Sequence, residues 1–233
     1  MSVEENQGIE KGFEEACTVR LRAFVETQRG RLGGADFERF YASLVERFEE
    51  LQVELRSKID GAQRVAWVHA RMDEAIESAR PFSESCRVGC SGCCHLKVEI
   101  TEEEAEVLVL VVEATGGLMD AGRLEAQARL LRAGKEWGKE PGAPDACAFL
   151  SEDQRCRVYA ARPMACRRLL VRSQPELCWD PRGEVQPVEI LEVELVMSAA
   201  LSLSGSRVGA LPELVWEAFQ RHRGARDGWK EQD

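Results

Sequence analysis

Cysteine is where this sequence concentrates its chemistry: of nine cysteines, eight fall between Cys86 and Cys178. The first group reads Cys86-x3-Cys90-x2-Cys93-Cys94 and is interleaved with Gly89, Ser91 and Gly92. A Cys-x2-Cys turn lets two thiolates converge on one ion, and the glycines let backbone amides turn toward sulfur. The adjacent pair Cys93-Cys94 is harder to place on a single ion, because neighbouring side chains diverge. Two nearby metals, or a cluster of several iron atoms, take such a pair more readily. The second group, Cys147, Cys156, Cys166 and Cys178, is too widely spaced for a zinc knuckle. Spacing leaves open whether the thiols fill two four-ligand sites or one cluster with thiols in reserve. Four cysteines within nine residues are a poor match to unrelated core positions, so the metal reading outweighs the bland one.

Composition narrows the setting. The 233-residue chain carries 31 basic against 41 acidic side chains, a net charge of −10. Tracking a phosphate backbone rests on clustered Lys and Arg, so no nucleic-acid partner is expected. The opening Met1-Ser2-Val3-Glu4-Glu5 lacks the basic and apolar regions of an export signal. The longest uncharged apolar stretch, Leu195 to Ser204, is about half of the ~20 residues a spanning helix needs. A cytoplasmic, reducing location without a membrane partner follows as the expectation, and there dense cysteine means metal or redox chemistry rather than disulfides.

The elements that must position these thiols read as mainly α: a helical domain around an irregular, cysteine-rich metal-binding centre. Residues 1–80 form an N-terminal helical region. A helix is expected from Phe13 to Arg29, carrying Cys17 as a small core residue. Phe37, Tyr41, Leu44, Phe48, Leu51 and Leu55 then mark the stripe of an amphipathic helix, with Asp36 as its N-cap after Gly33-Gly34. The stripe continues through Ala62, Val65, Met72 and Ile76 to Pro81, and Gly61 either divides or weakens it. A packed hairpin is the default, although this stripe could also meet a partner chain. After the first cysteine group, Thr101-x2-Glu104 has the form of a capping box and opens a helix running to Gly116-Gly117. A further helix spans Asp120 to Trp137, and Lys139 to Ala146 is a loop. The cysteine region covers 86–182. Two more helices, Pro187–Leu203 and Pro212–Arg223, are expected to pack on it within 183–223, and 224–233 is a frayed tail. One globular domain overall is the preferred organisation.

Several segments together carry a resemblance. Cys90-x2-Cys93-Cys94, Val98-x-Ile100-Thr101-x2-Glu104, Cys147-Ala148-Phe149-Leu150 and Cys156-x2-Tyr159-x2-Arg162-Pro163-x2-Cys166-Arg167 follow one another in that order. This resembles the CxxCxxCC cysteine-cluster family, the YkgJ-type domain described as chelating zinc or iron. The resemblance covers roughly Cys86 to Cys178. It implies Cys90, Cys93, Cys94, Cys147, Cys156 and Cys166 as metal ligands, with Cys86 and Cys178 as further candidates. It also implies an iron–sulfur centre, since one branch, similar to flagellin lysine methylase, carries a four-iron cluster. Two departures stand out: the first gap holds three residues instead of two, and Ala148 replaces the usual proline. Around an anionic cluster, Arg162, Arg167 and the adjacent Arg168 would offset charge and lower thiol pKa values. Phe149, Leu150 and Tyr159 would cover the site. His95 reads as a neighbour rather than a ligand.

Three functions fit these residues. The leading one is a metalloprotein whose cysteines hold an iron–sulfur cluster (4Fe-4S) or iron, for redox, sensing or structural purposes. The second is a zinc-organised binding module. The third is an enzyme related to the methylase branch, against which stands the absence of a legible cofactor signature: there is no glycine-rich phosphate loop, no dinucleotide fingerprint and no His-Glu-x2-His helix.

Overall fold

The computed structural model describes residues 11–80, 85–86, 89–116, 119–135, 145–179, 183–203 and 207–230. The fold is mainly α, with one two-stranded sheet among the described residues. Contacts divide the chain into two compact units, Met1–Pro81 with Glu189–Gly205, and Phe82–Val188 with Ser206–Asp233. The C-terminal helices therefore part, whereas the sequence pattern placed both on the cysteine region. The expected loop at Lys139 to Ala146 and the stops at Pro81 and Gly117 fall wholly or partly outside the described residues.

In the first unit, residues 11–16 are helical and the chain breaks at Cys17-Thr18. Helix α1 (Val19–Arg31) follows, then α2 (Gly34–Arg56), α3 (Gly61–Ser78) and α7 (Leu191–Leu203). The break divides the single helix expected over Phe13–Arg29, because Thr18 caps α1. Its hydroxyl oxygen accepts from the Leu21 amide at 3.1 Å and its hydroxyl donates to Glu194 Oε2 at 2.6 Å. The N-cap of α2 is Gly33, and Asp36 lies one turn inside the helix rather than at its cap. Asp60 caps α3 through the Gln63 amide, so the long stripe divides just before Gly61. Helix α7 packs against α2 and α3. The core is apolar and aromatic: Phe13 meets Phe48 edge-on at 5.2 Å, and Leu51, Leu55 and Met72 are fully buried. Cys17 is half-buried beside this core instead of within it, and burial pushes its thiol up to about 11.

In the second unit, strands β1 (Glu99–Thr101) and β2 (Val208–Ala210) pair antiparallel, with Ile100 opposite Gly209. Neither strand is evident from the sequence pattern, since three residues carry no readable alternation. Each strand leads straight into a helix: α4 (Glu102–Ala114) after β1, and α8 (Leu211–Lys230) after β2. Helix α8 continues past Arg223, where the tail was expected to fray. It packs on α4 and on α5 (Ala121–Arg132). Ile100, Leu108, Val112, Leu124, Phe149, Val158, Leu214 and Val215 form the core, and Cys147 and Cys156 pack against it. The thiol-bearing loops thus stand on a rigid apolar base. The short helix α6 (Met164–Arg167) carries Cys166.

Candidate metal centre

From Gly89 onward the first cysteine group folds as a tight turn. Gly89 has φ +86°, a left-handed conformation that favours glycine. A single 3-10 turn, Gly92–His95, then carries Cys93 and Cys94. It is fastened on two sides. Ser91 Oγ donates to Gln154 Oε1 at 2.6 Å, and the Cys94 carbonyl accepts from the Cys147 amide at 2.7 Å. That second bond joins the two cysteine groups directly, backbone to backbone.

The Cys147 segment is held by helix α5. Gln127 Nε2 donates to the Ala146 carbonyl at 2.7 Å, Arg123 to the Cys147 carbonyl at 3.3 Å, and the Asp120 amide to the Ala148 carbonyl at 2.9 Å. A hairpin-like reversal follows, with Leu150 and Cys156 bridged antiparallel and Gln154 at φ 62°. Ser151 stabilises the reversal by accepting from the Arg155 amide and donating to the Arg155 carbonyl. The Cys86 segment lies along a third loop. Ser85 N donates to the Val171 carbonyl at 2.8 Å, and the Cys86 thiol faces the Leu169 carbonyl at 3.9 Å.

These loops enclose a cavity of about 350 Å³ lined by Cys86, Cys90, Cys93, Cys94, Cys147, Cys156 and Cys166. Seven of the eight clustered cysteines thus share one space. Cys178 stands outside that lining, on the 3-10 turn Pro175–Cys178, with its Cβ packed on Gly92. A Cβ on Gly92 would lie 2.6 Å from that atom, so only glycine permits the approach. Among the described residues, no three His, Cys, Asp or Glu side chains are set in the geometry of a single closed metal site. The donors surround a volume rather than a point.

The electrostatics follow from burial and crowding. Burial, with Cys156 and Cys93 nearby, pushes the Cys147 thiol up to about 11, despite a hydrogen bond from the Phe149 amide and the charge of Arg123. Burial likewise raises Cys156, Cys166 and Cys178. Cys93 runs the other way: the Cys94 thiol donates to it, and Arg162 adds favourable charge, so Cys93 ionises first and Cys94 is pushed up in consequence. A cation or a cationic cluster core is what such a set requires to hold several thiolates together.

The arginines expected to offset charge divide. Arg162 lines the cavity, stacks on Tyr159 at 3.9 Å, and carries a buried Nε without a hydrogen-bond partner among the described residues. Arg167 is buried, but its Nε donates to the Arg162 carbonyl at 2.9 Å and its Nη2 to the Ala160 carbonyl. Arg167 thus fastens the backbone ahead of Cys166, because carbonyls within reach satisfy its fork of donors. Phe149 and Tyr159 line the cavity, whereas Leu150 borders a separate polar cavity with His95, Arg123 and Arg157. His95 packs against Trp179 with ring centroids 4.7 Å apart and tilted by 55°, and its Nδ1 lies 3.4 Å from Asp145 Oδ1, so it belongs to the wall behind the thiols.

Sequence reasoning missed Gln154, Gln127 and the second role of Glu104. Gln154 holds the first cysteine turn from an unusual left-handed position, and Gln127 reaches a carbonyl nineteen residues on. Neither has a spacing signal, since each acts across the fold. The capping box itself was legible and is present in full.

No curated protein and no solved structure matches the chain. A family model does: residues 85–182 match the CxxCxxCC model, whose description reads "Putative zinc- or iron-chelating domain", and the match takes in all eight clustered cysteines.

Proposed function

We propose that the second unit holds an iron–sulfur cluster, a four-iron cluster being favoured, with ligands drawn from Cys90, Cys93, Cys94, Cys147, Cys156 and Cys166. The observation that carries this reading is the cavity of about 350 Å³ lined by seven cysteines and by Arg162, whose buried Nε has no hydrogen-bond partner among the described residues. An all-thiol donor set is what iron–sulfur clusters take. A single zinc would require four sulfurs to close on one point at ~2.3 Å, whereas these thiols surround a space suited to a group of several atoms. The unpartnered guanidinium nitrogen supports an anionic occupant, as a four-thiolate cluster is. A cluster bound here would supply one-electron transfer or redox sensing and would order the loops that carry its ligands. Phe149, Val158 and Leu211 close the cavity's apolar side and limit water.

Anaerobic purification tests this. The expected product is brown, with iron and acid-labile sulfide in similar amounts and a broad visible absorption. Colourless protein with stoichiometric zinc overturns the cluster and installs the zinc-organised module, which the family's description also covers.

A further inference from the structure

One buried carboxylate serves two helices. Glu104 is 2 % exposed. Its Oε2 accepts from the Thr101 amide at 2.9 Å and the Thr101 hydroxyl at 3.3 Å, completing the capping box that opens α4. That duty needs only one of its oxygens. Its Oε1 accepts from the Met164 amide at 2.7 Å, sixty residues further along the chain.

The second bond fills a specific vacancy in local chemistry. Helix α6 begins after Pro163, a residue whose side chain cannot cap, and no side-chain cap bond is made there. Met164 therefore presents an amide that its own segment leaves unsatisfied. Cys166 lies two residues on, with its amide donating to the Pro163 carbonyl at 2.9 Å. Arg167 fastens the same segment from its other side through the Ala160 and Arg162 carbonyls. A buried carboxylate is costly unless its lone pairs are met, so the arrangement is stiff, and the limb bearing Cys166 is referred to the rigid β1–α4 corner.

We infer that Glu104 is a positioning residue for the metal centre, fixing where Cys166 presents its sulfur; this rests on the proposal that Cys166 is a ligand. Groups behind a metal ligand typically alter affinity about 10- to 100-fold when removed. The test compares Glu104→Ala, Glu104→Gln and Thr101→Val in the full chain. Thr101→Val removes the hydroxyl of the capping box but leaves the Glu104–Met164 bond. Two readouts are taken: retention of the purified metal against a chelator series, and hydrogen exchange at the Met164 amide. Glu104→Ala is expected to lose about 10- to 100-fold in retention and to expose Met164 to exchange. Glu104→Gln, which keeps one acceptor oxygen, falls between, and Thr101→Val stays near wild type in both. Equal losses for Thr101→Val and Glu104→Ala would reduce Glu104 to an ordinary helix cap and overturn the inference, as would wild-type retention in Glu104→Ala. If Glu104→Ala fails to fold, Glu104→Gln decides by the same criteria. Should the wild-type chain hold no metal, the metal reading falls and the positioning role with it, while Met164 exchange still tells whether the clamp exists.

Discussion

The two units of this chain are held together by different physics. The first is assembled by side-chain volume: Phe13, Phe48, Leu51, Leu55 and Met72 fill a core between α2, α3 and α7. Among its buried polar groups, Thr18 pairs with Glu194 across 176 residues of chain. The second has an apolar base of the same kind under α4, α5 and α8, but above it the loops are tied by polar bonds from side chains to backbone. Gln127, Arg123, Arg167 and Glu104 each reach a carbonyl or amide of a cysteine-bearing segment. Volume can be conserved by many sequences, whereas such point-to-point ties cannot. The first unit is therefore a scaffold tolerant of exchange, and the second is a fitted holder.

The sharpest way to break the comparison is removal of the metal. Structural metal sites contribute ~10–16 kcal/mol in small domains. Chelation is expected to abolish hydrogen-exchange protection in the loops around Cys93, Cys147 and Cys166 while α2 and α3 stay protected. Uniform loss across both units would show that they do not differ in this way.

Next in size is Phe48→Ala. Phe48 is 2 % exposed and packs edge-on against Phe13. The cavity should cost ~3–5 kcal/mol, read as a lowered denaturant midpoint for the first unit at unchanged metal content. Metal loss on this substitution would mean that the holder depends on the scaffold.

A smaller effect with the opposite distribution is expected from Gly92→Ala. The new methyl would meet Cys178 Cβ at 2.6 Å. Overpacking of this sort costs ~1–3 kcal/mol, and metal analysis should show weakened retention although every thiol is still present. Gly34→Ala, where a Cβ meets nothing within 4 Å, is the matched control and should leave metal content unchanged.

The smallest effect concerns the surface tie between α4 and α8. Burial pushes Glu106 up, but hydrogen bonds from Arg221 and from His222 at 2.7 Å outweigh it, and its carboxyl is held below the ordinary range. A depressed carboxylate stabilises above its unfolded pKa and loses that contribution as pH falls through its folded value. The group is about one third exposed, and solvent screening keeps the stabilisation to ~1 kcal/mol at most. Glu106→Gln should remove a small part of the second unit's stability near neutral pH and none in strong acid, as followed by thermal melts across pH.

How much of this was legible depends on the range of the interaction concerned. The stripe from Phe37 to Leu55 announced α2, and Thr101-x2-Glu104 announced the start of α4, because both signals act within one or two turns. Small displacements entered where caps compete: Gly33 takes the position expected of Asp36, and Thr18 cuts the first helix. The separation of α7 from α8 was hidden. Both stretches are apolar enough to be buried, and periodicity says that a face is buried without saying against what.

The sequence alone determined the chemistry available: the residue types, the Cys93-Cys94 adjacency, and a mainly α frame set by apolar period and caps. Those are local properties of the chain. Only the tertiary structure decided that seven cysteines share one cavity, that Arg162 faces it while Arg167 turns to carbonyls, and that Glu104 reaches Met164. The physical reason is that metal-ligand geometry arises from loops meeting across long stretches of chain, where no residue spacing records which amide will be left for which side chain.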